Sequence, residues 1–253
     1  MKHALVTGGG RGIGAAIATA LAADGARITL LGRDAAVLEH HASTLPRSAR
    51  ALCVVADVTD EVAVDSAFET ARARHGEIDV LVNNAGAALA RPFTKMDRTA
   101  WDAMLGVNLT GTYICCRAAV SGMLARSTGR IVNVASTAGL AGGPYITAYA
   151  AAKHGVVGLT RALARELASH GITVNAVCPG FTRTAMLERS LDDIVTATGR
   201  TREAAAAALL GRNPLGRFVR PEEVAETVAW LCGPAAGAVT GQAIGIDGGE
   251  IGN

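Results

Sequence analysis

Short apolar runs alternate with helical patterns along the whole chain of 253 residues, and this alternation limits the possible folds more than any other feature. Each run is apolar on both faces, as expected for strands of a parallel sheet that helices cover on either side. Seven segments are predicted as strands: HALVTG, ARITLLG, ALCVVADV, IDVLVNNAG, GRIVNVAS, ITVNAVCPG and GQAIGIDGG. Strict alternation predicts one α/β domain over residues 1–253, a doubly wound parallel sheet of about seven strands flanked by helices.

The composition favours a cytoplasmic protein that binds neither nucleic acid nor a membrane. The net charge is +2 and only 4% of the residues are aromatic, which argues against a basic surface or a base-stacking platform. No apolar run reaches the ~18–20 residues of a membrane span, and the first strand begins too close to Met1 for a signal peptide. The five cysteines include no CxxC pair and no zinc-like spacing, which predicts reduced thiols and no metal site.

Residues 183–217 form a long excursion that interrupts the alternation. Excursions of this length in compact domains are often lids or binding loops, so we predict a helical substrate lid. Two short helical patterns lie within it, and Ser190, with Asp193 three residues later, is predicted to cap the first. The apolar positions expected to build the lid are Met186, Leu187, Leu191, Ile194, Leu209 and Leu210. A subunit-contact arm is the alternative interpretation.

The stretch TGGGRGIG, residues 7–14, lies between the first predicted strand and the first predicted helix. Glycines let the chain turn sharply there and let backbone N–H groups approach a pyrophosphate at the helix N-terminus. Gly8, Gly12, Ile13 and Gly14 are therefore predicted to bind a dinucleotide. A tight turn without a ligand is the alternative.

The stretch AYAAAKHG, residues 148–155, places one tyrosine and one lysine four residues apart. On a helix, Tyr149 and Lys153 project from the same face, and the alanines between them leave space beside that face. A nearby cation favours the ionised form of a phenol, so the pair is predicted to transfer protons near neutral pH. One buried residue beside one solvated residue is the alternative.

These stretches belong to a series of motifs that resembles the classical short-chain dehydrogenase/reductase family. The motifs occur in order along nearly the full chain: TGxxxGIG at 7–14, NNAG at 83–86, Asn108 in VNLTG, Ser136 in VNVAS, Tyr149 and Lys153 as YxxxK, and PGFTRT at 179–184. The resemblance implies a Rossmann-like fold and a nicotinamide cofactor that supplies the hydride.

The resemblance also implies a catalytic role for four residues. Tyr149 is the general acid for carbonyl reduction, and Lys153 bonds the nicotinamide ribose and lowers the pKa of the tyrosine. Ser136 bonds the substrate oxygen and stabilises its developing negative charge. Asn108 holds a water that links Lys153 to solvent; its alternative is a local kink in a long helix, predicted over residues 97–125.

Further positions are assigned to the cofactor by the same resemblance. Asp57 lies beside the adenine, the NNAG stretch lies against the cofactor, and Thr184 binds the carboxamide. The full set is Asp57, Val58, Asn84, Ala85, Gly86, Pro179, Gly180, Thr182 and Thr184, together with Tyr149 and Lys153.

The end of the second predicted strand, LLGRD, bears on the choice of cofactor. NAD enzymes place a carboxylate there for the ribose hydroxyls, whereas NADP enzymes place an arginine there. Gly32 occupies the acidic position of the family and Arg33 follows, so Arg11 and Arg33 are predicted to clamp the 2′-phosphate of NADP(H). Asp34 is predicted to cap the next helix; as a ribose ligand, it would instead favour NAD(H).

Three residues are predicted to contact the substrate, namely Tyr145, Met186 and Leu187. His154 is expected at the surface or at an interface. Gly155 and Gly158 permit close packing of the helix that carries Tyr149. The resemblance implies that this helix and the helix of Asn108 form a homodimer interface, doubled into a tetramer; packing within one chain is the alternative.

The chain is most similar to bacterial ketoreductases that act on acyl thioesters, including aromatic polyketide ketoreductases. This likeness implies NADPH-dependent reduction of a 3-oxoacyl thioester or a bulky β-keto compound. The lid arginines are expected to meet a phosphopantetheine or CoA phosphate, or to form a solvated charged face: Arg189, Arg200, Arg202, Arg212 and Arg217. The alternatives are an NAD-dependent secondary alcohol or hydroxyacyl-CoA dehydrogenase and a non-catalytic, cofactor-bound regulator.

Overall fold

A computed structural model describes residues 2–251. Within that range the chain forms a seven-stranded parallel sheet in the order β3-β2-β1-β4-β5-β6-β7. The strands are β1 (His3–Thr7), β2 (Arg27–Gly32), β3 (Leu52–Val55), β4 (Val80–Asn83), β5 (Gly129–Val134), β6 (Ile172–Pro179) and β7 (Ala243–Ile246). Each lies within a segment that the apolar runs predicted, and the doubly wound fold is confirmed.

Helices connect the strands and cover the sheet. Those found between residues 2 and 251 are α1 (Gly12–Ala23), α2 (Ala35–Thr44), α3 (Glu61–His75), α4 (Arg98–Leu105), α5 (Gly111–Arg126), α6 (Thr147–Leu167), α7 (Ala185–Thr198), α8 (Arg202–Leu210) and α9 (Pro221–Cys232). In this part of the chain, no helix has the length and apolar character needed to cross a membrane.

Alternate strand residues enter two hydrophobic layers on opposite faces of the sheet. Ala4 and Val6 of β1 pack with α1, α2 and α9, whereas Leu5 packs with α3, α5 and α6. This pattern follows from the two-residue period of a strand and explains why the strand sequences are almost continuously apolar. The edge strands β3 and β7 are less buried than the central ones, so the expectation of burial on both faces does not extend to them.

The long helix expected over residues 97–125 is interrupted by a π-helical turn at Gly106–Thr110. Asn108 lies within this turn and is only 1% exposed. A π turn inserts an extra residue into the helical ladder and is frequent at functional sites. The π turn explains why an asparagine occurs in the middle of this helical segment.

The first helix of the predicted lid begins six residues earlier than the capping pattern suggested. Thr184, not Ser190, is the N-cap of α7, and its hydroxyl accepts from the N–H of Leu187. Ser190 lies inside the helix and donates to the carbonyl of Met186. Ser and Thr are both favoured N-cap residues, so the local pattern does not decide between the two positions.

The two ends of the predicted lid lie side by side. Thr182 and Val219 form a parallel β-bridge, and Arg183 donates its backbone N–H to the carbonyl of Val219 over 2.9 Å. Leu187, Leu191 and Ala205 form a buried cluster between α7 and α8. The segment is thus a compact unit joined at its base.

Candidate active site

The predicted functional residues lie together at the carboxyl ends of four central strands. The glycine-rich turn follows β1, Asn84 follows β4, Ser136 follows β5, and Pro179 ends β6. In an open α/β sheet this edge is where ligands bind.

The glycine-rich turn adopts a conformation that requires glycine. Gly8 and Gly12 have φ angles of +63° and +56°, and a Cβ on Gly14 would lie 2.3 Å from the carbonyl oxygen of Gly8. The side chain of Asn84 holds the turn by donating to the carbonyls of Thr7 and Gly8. Arg11, the N-cap of α1, makes no capping hydrogen bond with its side chain. The first N–H groups of α1 are therefore left for an anion, which fits the pyrophosphate of a dinucleotide.

A cavity of about 380 Å³ adjoins this turn and is lined by Arg11 and Arg33. The guanidinium of Arg33 lies 3.6 Å from the carboxylate of Asp57. Partial burial pushes the pKa of Asp57 upward, but hydrogen bonds from Thr59 and the charge of Arg33 outweigh it, so the pKa is lowered. Asp57 is therefore a fixed anion beside Arg33.

Asp34 and Val58, which follow Arg33 and Asp57 in the sequence, are not among the residues that line the cavity and have structural roles instead. Asp34 accepts from the N–H of Val37 over 3.2 Å, which confirms it as the N-cap of α2. The side chain of Val58 is buried in the core, where a Cβ on Gly111 would lie 2.7 Å from it. Only the backbone of Val58 is left to meet a cofactor.

The π turn fixes Asn108 at the edge of the site. Its amide donates to the carbonyls of Ala87 and Met104, over 2.9 and 3.0 Å, and its oxygen accepts from the N–H of Ala87 over 3.3 Å. A Cβ on Gly86 would lie 2.7 Å from that oxygen and 3.7 Å from the ammonium nitrogen of Lys153. Asn108 and Lys153 therefore both lie close to Gly86.

Ser136, Tyr149 and Lys153 lie side by side, as the sequence predicted. Ser136 opens a 3-10 turn, where its hydroxyl accepts from the N–H of Ala138 over 3.1 Å. It also lies close enough to Tyr149 to act on the pKa of the phenol. Lys153 is 5% exposed; its ammonium donates to the carbonyl of Val134 over 2.8 Å and lies 5.7 Å from the ring centroid of Tyr149.

The direction of the tyrosine pKa differs from the sequence prediction. Desolvation raises the pKa of Tyr149, although the hydrogen bond from Ser136 acts in the opposite direction. The same burial lowers the pKa of Lys153 to about 8. Proton affinity at this site is therefore governed by solvent exclusion, because water that would stabilise either charged form is displaced.

One buried thiol near these residues was not singled out by the sequence. Cys178 is fully buried on β6, and desolvation raises its pKa to about 11, while the charge of Lys153 lowers it. The sequence showed only an apolar environment for this cysteine. All five cysteines are free.

The three predicted substrate residues have different surroundings. Met186 lines the cavity, whereas Leu187 is buried in the α7–α8 cluster and is not among the cavity-lining residues. The prediction for Leu187 as a substrate contact is therefore not supported by the cavity lining. Tyr145 is 60% exposed with a φ of +67°, a strained conformation for a non-glycine residue, and its carbonyl accepts from the N–H of Arg91.

The PGFTRT loop connects this edge of the sheet to α7. A Cβ on Gly12 would lie 3.2 Å from the methyl group of Thr184, so the N-terminus of α7 touches the glycine-rich turn. Gly180 is packed beside Asp247 and the side-chain carboxylate of Glu250. Thr182 donates its hydroxyl to the carbonyl of Gly180 over 3.0 Å. Across residues 2–251, no His, Cys, Asp and Glu side chains cluster as metal ligands would.

Comparisons with known proteins agree with this geometry. A family model described as short chain dehydrogenase matches residues 2–194. Among curated proteins, 2-(S)-hydroxypropyl-CoM dehydrogenase 3 of Xanthobacter autotrophicus is 42% identical over 246 residues, covering 96% of this chain and 94% of the relative. A 3-oxoacyl-[acyl-carrier-protein] reductase of Synechocystis is 40% identical over 255 residues, covering 98% of this chain and 96% of the relative.

A solved structure extends the similarity to three dimensions. The crystal structure of a variant of the actinorhodin polyketide ketoreductase with NADPH superposes with a TM-score of 0.96 at 39% sequence identity. The match covers 100% of this chain and 98% of that one.

Proposed function

Because this chain belongs to the short-chain dehydrogenase family and is an oxidoreductase acting on a ketone or its alcohol, we propose that it uses NADPH to reduce a 3-oxoacyl thioester or a similarly bulky β-keto compound. The observation that carries the proposal is the grouping of Ser136, at the end of β5, with the buried Tyr149 and Lys153 of α6, on the edge of the sheet that also carries the glycine-rich turn. The phenol keeps its proton at neutral pH because desolvation raises its pKa, which suits a proton donor.

The chain's own residues account for binding of the cofactor and for proton transfer. The turn from Gly8 to Gly14 and the open N-terminus of α1 would hold the pyrophosphate, and Arg11 and Arg33 the 2′-phosphate. Bound NADPH supplies the hydride to the carbonyl carbon. The hydroxyl of Ser136 donates a hydrogen bond to the carbonyl oxygen, and Tyr149 transfers its phenolic proton to that oxygen, which completes the alcohol. Lys153 and Asn108 would return a proton to Tyr149.

Initial rates of cofactor oxidation test this proposal. NADPH and NADH are compared, each with acetoacetyl-CoA and with a bulky bicyclic ketone. We expect turnover with NADPH and a clear preference over NADH, and we expect Arg33→Ala to reduce that preference about tenfold or more, because a charge-assisted contact to the 2′-phosphate is lost. A preference for NADH in the unaltered enzyme would contradict the arginine clamp.

Tyr149→Phe tests the proposed proton donor. Removing only the hydroxyl is expected to lower kcat by about 10²-fold or more, as is common for a general acid. NADPH binding, followed by fluorescence titration, should change little because the ring is retained. Full activity of Tyr149→Phe would exclude the proposed mechanism, and an unchanged biological effect without turnover would favour the regulatory alternative.

One relative favours a second candidate function, oxidation of a secondary alcohol. The 2-(S)-hydroxypropyl-CoM dehydrogenase is 42% identical to this chain, and the 3-oxoacyl-[acyl-carrier-protein] reductase of Synechocystis is 40% identical. The reverse assay, with a 3-hydroxyacyl-CoA and NAD or NADP, separates the two candidates. A faster NAD-dependent oxidation than NADPH-dependent reduction would favour the dehydrogenase.

We also propose that the enzyme is a cytoplasmic homo-oligomer assembled through α5 and α6. Tyr113 on α5 is 48% exposed, and a Cβ on Gly158 of α6 would meet no atom within 4 Å. Gly155, by contrast, packs against Leu109 of the same chain. Gly158 thus supports a subunit contact, and Gly155 has its role within the chain. The free cysteines support a reducing compartment.

A further inference from the structure

The cavity beside the glycine-rich turn is closed on one side by the lid helix α7. Residues at positions i, i+3, i+4 and i+7 of that helix line it, namely Met186, Arg189, Ser190 and Asp193. This spacing defines one helical face. The other face buries Leu187 and Leu191 in the α7–α8 cluster. α7 therefore presents a largely polar face to the cavity that Arg11 and Arg33 also line, with Arg189 as its cation and Asp192 and Asp193 as its two anions.

The charges around the cavity are unevenly compensated. Arg33 has Asp57 at 3.6 Å, and Asp192, also on the lining, is paired with Arg202. Within residues 2–251, the side chains of Arg11, Arg189 and Asp193 form no hydrogen bond or salt bridge. Cations gathered around one cavity repel each other unless an anion occupies it. The arrangement thus favours an anionic ligand.

The position of α7 indicates which anion Arg189 would meet. The helix begins at Thr184, whose methyl group lies against Gly12 of the glycine-rich turn. The first turns of α7 therefore lie over the N-terminus of α1, where a pyrophosphate would bind, and Arg189 is the cation that those turns carry to the cavity.

We infer that α7 is part of the dinucleotide site: Arg189 binds the pyrophosphate of the cofactor, and Asp193 opposes it by charge repulsion. The inference rests on the proposed function, since it assigns these two lid residues to the cofactor proposed there. Through Arg189, the bound cofactor would hold α7 in the position seen here, and because Met186 of the same helix also lines the cavity, the cofactor contact and the predicted substrate contact share one element.

Equilibrium titration of NADPH and NADH fluorescence tests the inference without turnover. We expect Arg189→Gln to raise the Kd for both cofactors by a similar factor, about three- to tenfold, because the pyrophosphate is common to both. Asp193→Asn should lower both Kd values about two- to threefold, since it removes a repelling charge. Glutamine is a good helix former, so the helix should persist in the first variant.

Two control variants separate the inference from simpler explanations. Arg200→Gln removes a lid arginine that does not line the cavity and should leave both Kd values within twofold. Arg33→Gln should weaken NADPH alone, because only NADPH carries the 2′-phosphate.

Four outcomes would overturn the inference. Unchanged binding in Arg189→Gln would exclude the contact, and weaker binding of NADPH alone would move Arg189 to the 2′-phosphate. Equal weakening by Arg189→Gln and Arg200→Gln would indicate a general effect of lid charge. If the unaltered protein binds neither cofactor, the proposed function is overturned as well. If the unaltered protein binds the cofactors and Arg189→Gln leaves both Kd values unchanged, only the inference is overturned.

Discussion

Gly86 lies close to two buried polar side chains, those of Asn108 and Lys153, and there is no room for a larger residue at this position. A Cβ there would lie 2.7 Å from the oxygen of Asn108, a side chain that three hydrogen bonds hold in place, one accepted by the oxygen and two donated by the amide nitrogen. We expect Gly86→Ala to displace Asn108 or the backbone at Ala87 and to lower kcat roughly ten- to a hundredfold, because small misplacements of catalytic groups are costly. Initial rates with NADPH measure this effect.

Gly142→Ala is the matched control at the residue scale. A Cβ on Gly142 would meet no atom within 4 Å, and no positive φ opposes it. Its kcat should stay within about twofold of the unaltered protein. Circular dichroism melting of both variants verifies that each folds. Normal activity of a folded Gly86→Ala would mean that the Gly86–Asn108 contact does not matter for the reaction.

At the scale of single elements, Asp34 at the start of α2 has two possible roles, capping the helix and binding the cofactor, and a single variant distinguishes them. Asp34 caps this helix, so Asp34→Ala should lower the free energy of unfolding by about 0.5–2 kcal/mol. The ratio of the NADPH and NADH Kd values should not change. Urea unfolding and fluorescence titration measure the two quantities.

Asp60→Ala provides the comparison, because it removes the equivalent cap of α3. Both variants should lose similar stability. A several-fold change in the NADH Kd of Asp34→Ala, absent from Asp60→Ala, would identify Asp34 as a ribose ligand and favour the NAD-dependent alternative.

The stability of the whole molecule is expected to depend on pH through a histidine at the amino edge of the sheet. His3 is fully buried, and desolvation, with a smaller contribution from the adjacent His75, lowers its pKa from 6.5 to about 4. The unfolded chain binds this proton more tightly, so the contribution of His3 is complete above about pH 6.5 and is lost as the pH falls toward 4. From pH 7.5 to 5.0 we expect the free energy of unfolding to fall by about 2 kcal/mol from this group.

Urea unfolding at the two pH values, with two histidine variants, measures this dependence. His3→Leu should be less stable at pH 7.5, because Thr29 loses a hydrogen-bond partner, but its stability should decrease less on acidification. His40→Gln, a change at an exposed histidine of α2, should retain the full decrease. An unaltered decrease in His3→Leu would exclude His3 as its source.

Sequence patterns predicted the fold well because they are local. The two-residue and 3.6-residue periods located the seven strands and the helices, and the glycine pattern located the turn whose positive φ angles need glycine. The cap of α2 at Asp34 was also predicted, since capping involves only neighbouring residues. The π turn at Asn108 was missed because its side chain bonds the distant Ala87. The start of α7 at Thr184 was missed because Ser190 offers a second local cap that the pattern alone does not distinguish from Thr184.

By itself, the sequence determined the β–α order, the family resemblance and the residue types available for chemistry. Only the tertiary structure decided how those residues behave. Tyr149 and Lys153 are four residues apart in any helix, yet the raised pKa of the phenol follows from solvent exclusion by the protein around it. Likewise, Arg11, Arg33 and Arg189 share a cavity only because the sheet and the lid bring three separate segments together. Desolvation and charge clustering depend on what is near in space, which a local pattern does not record.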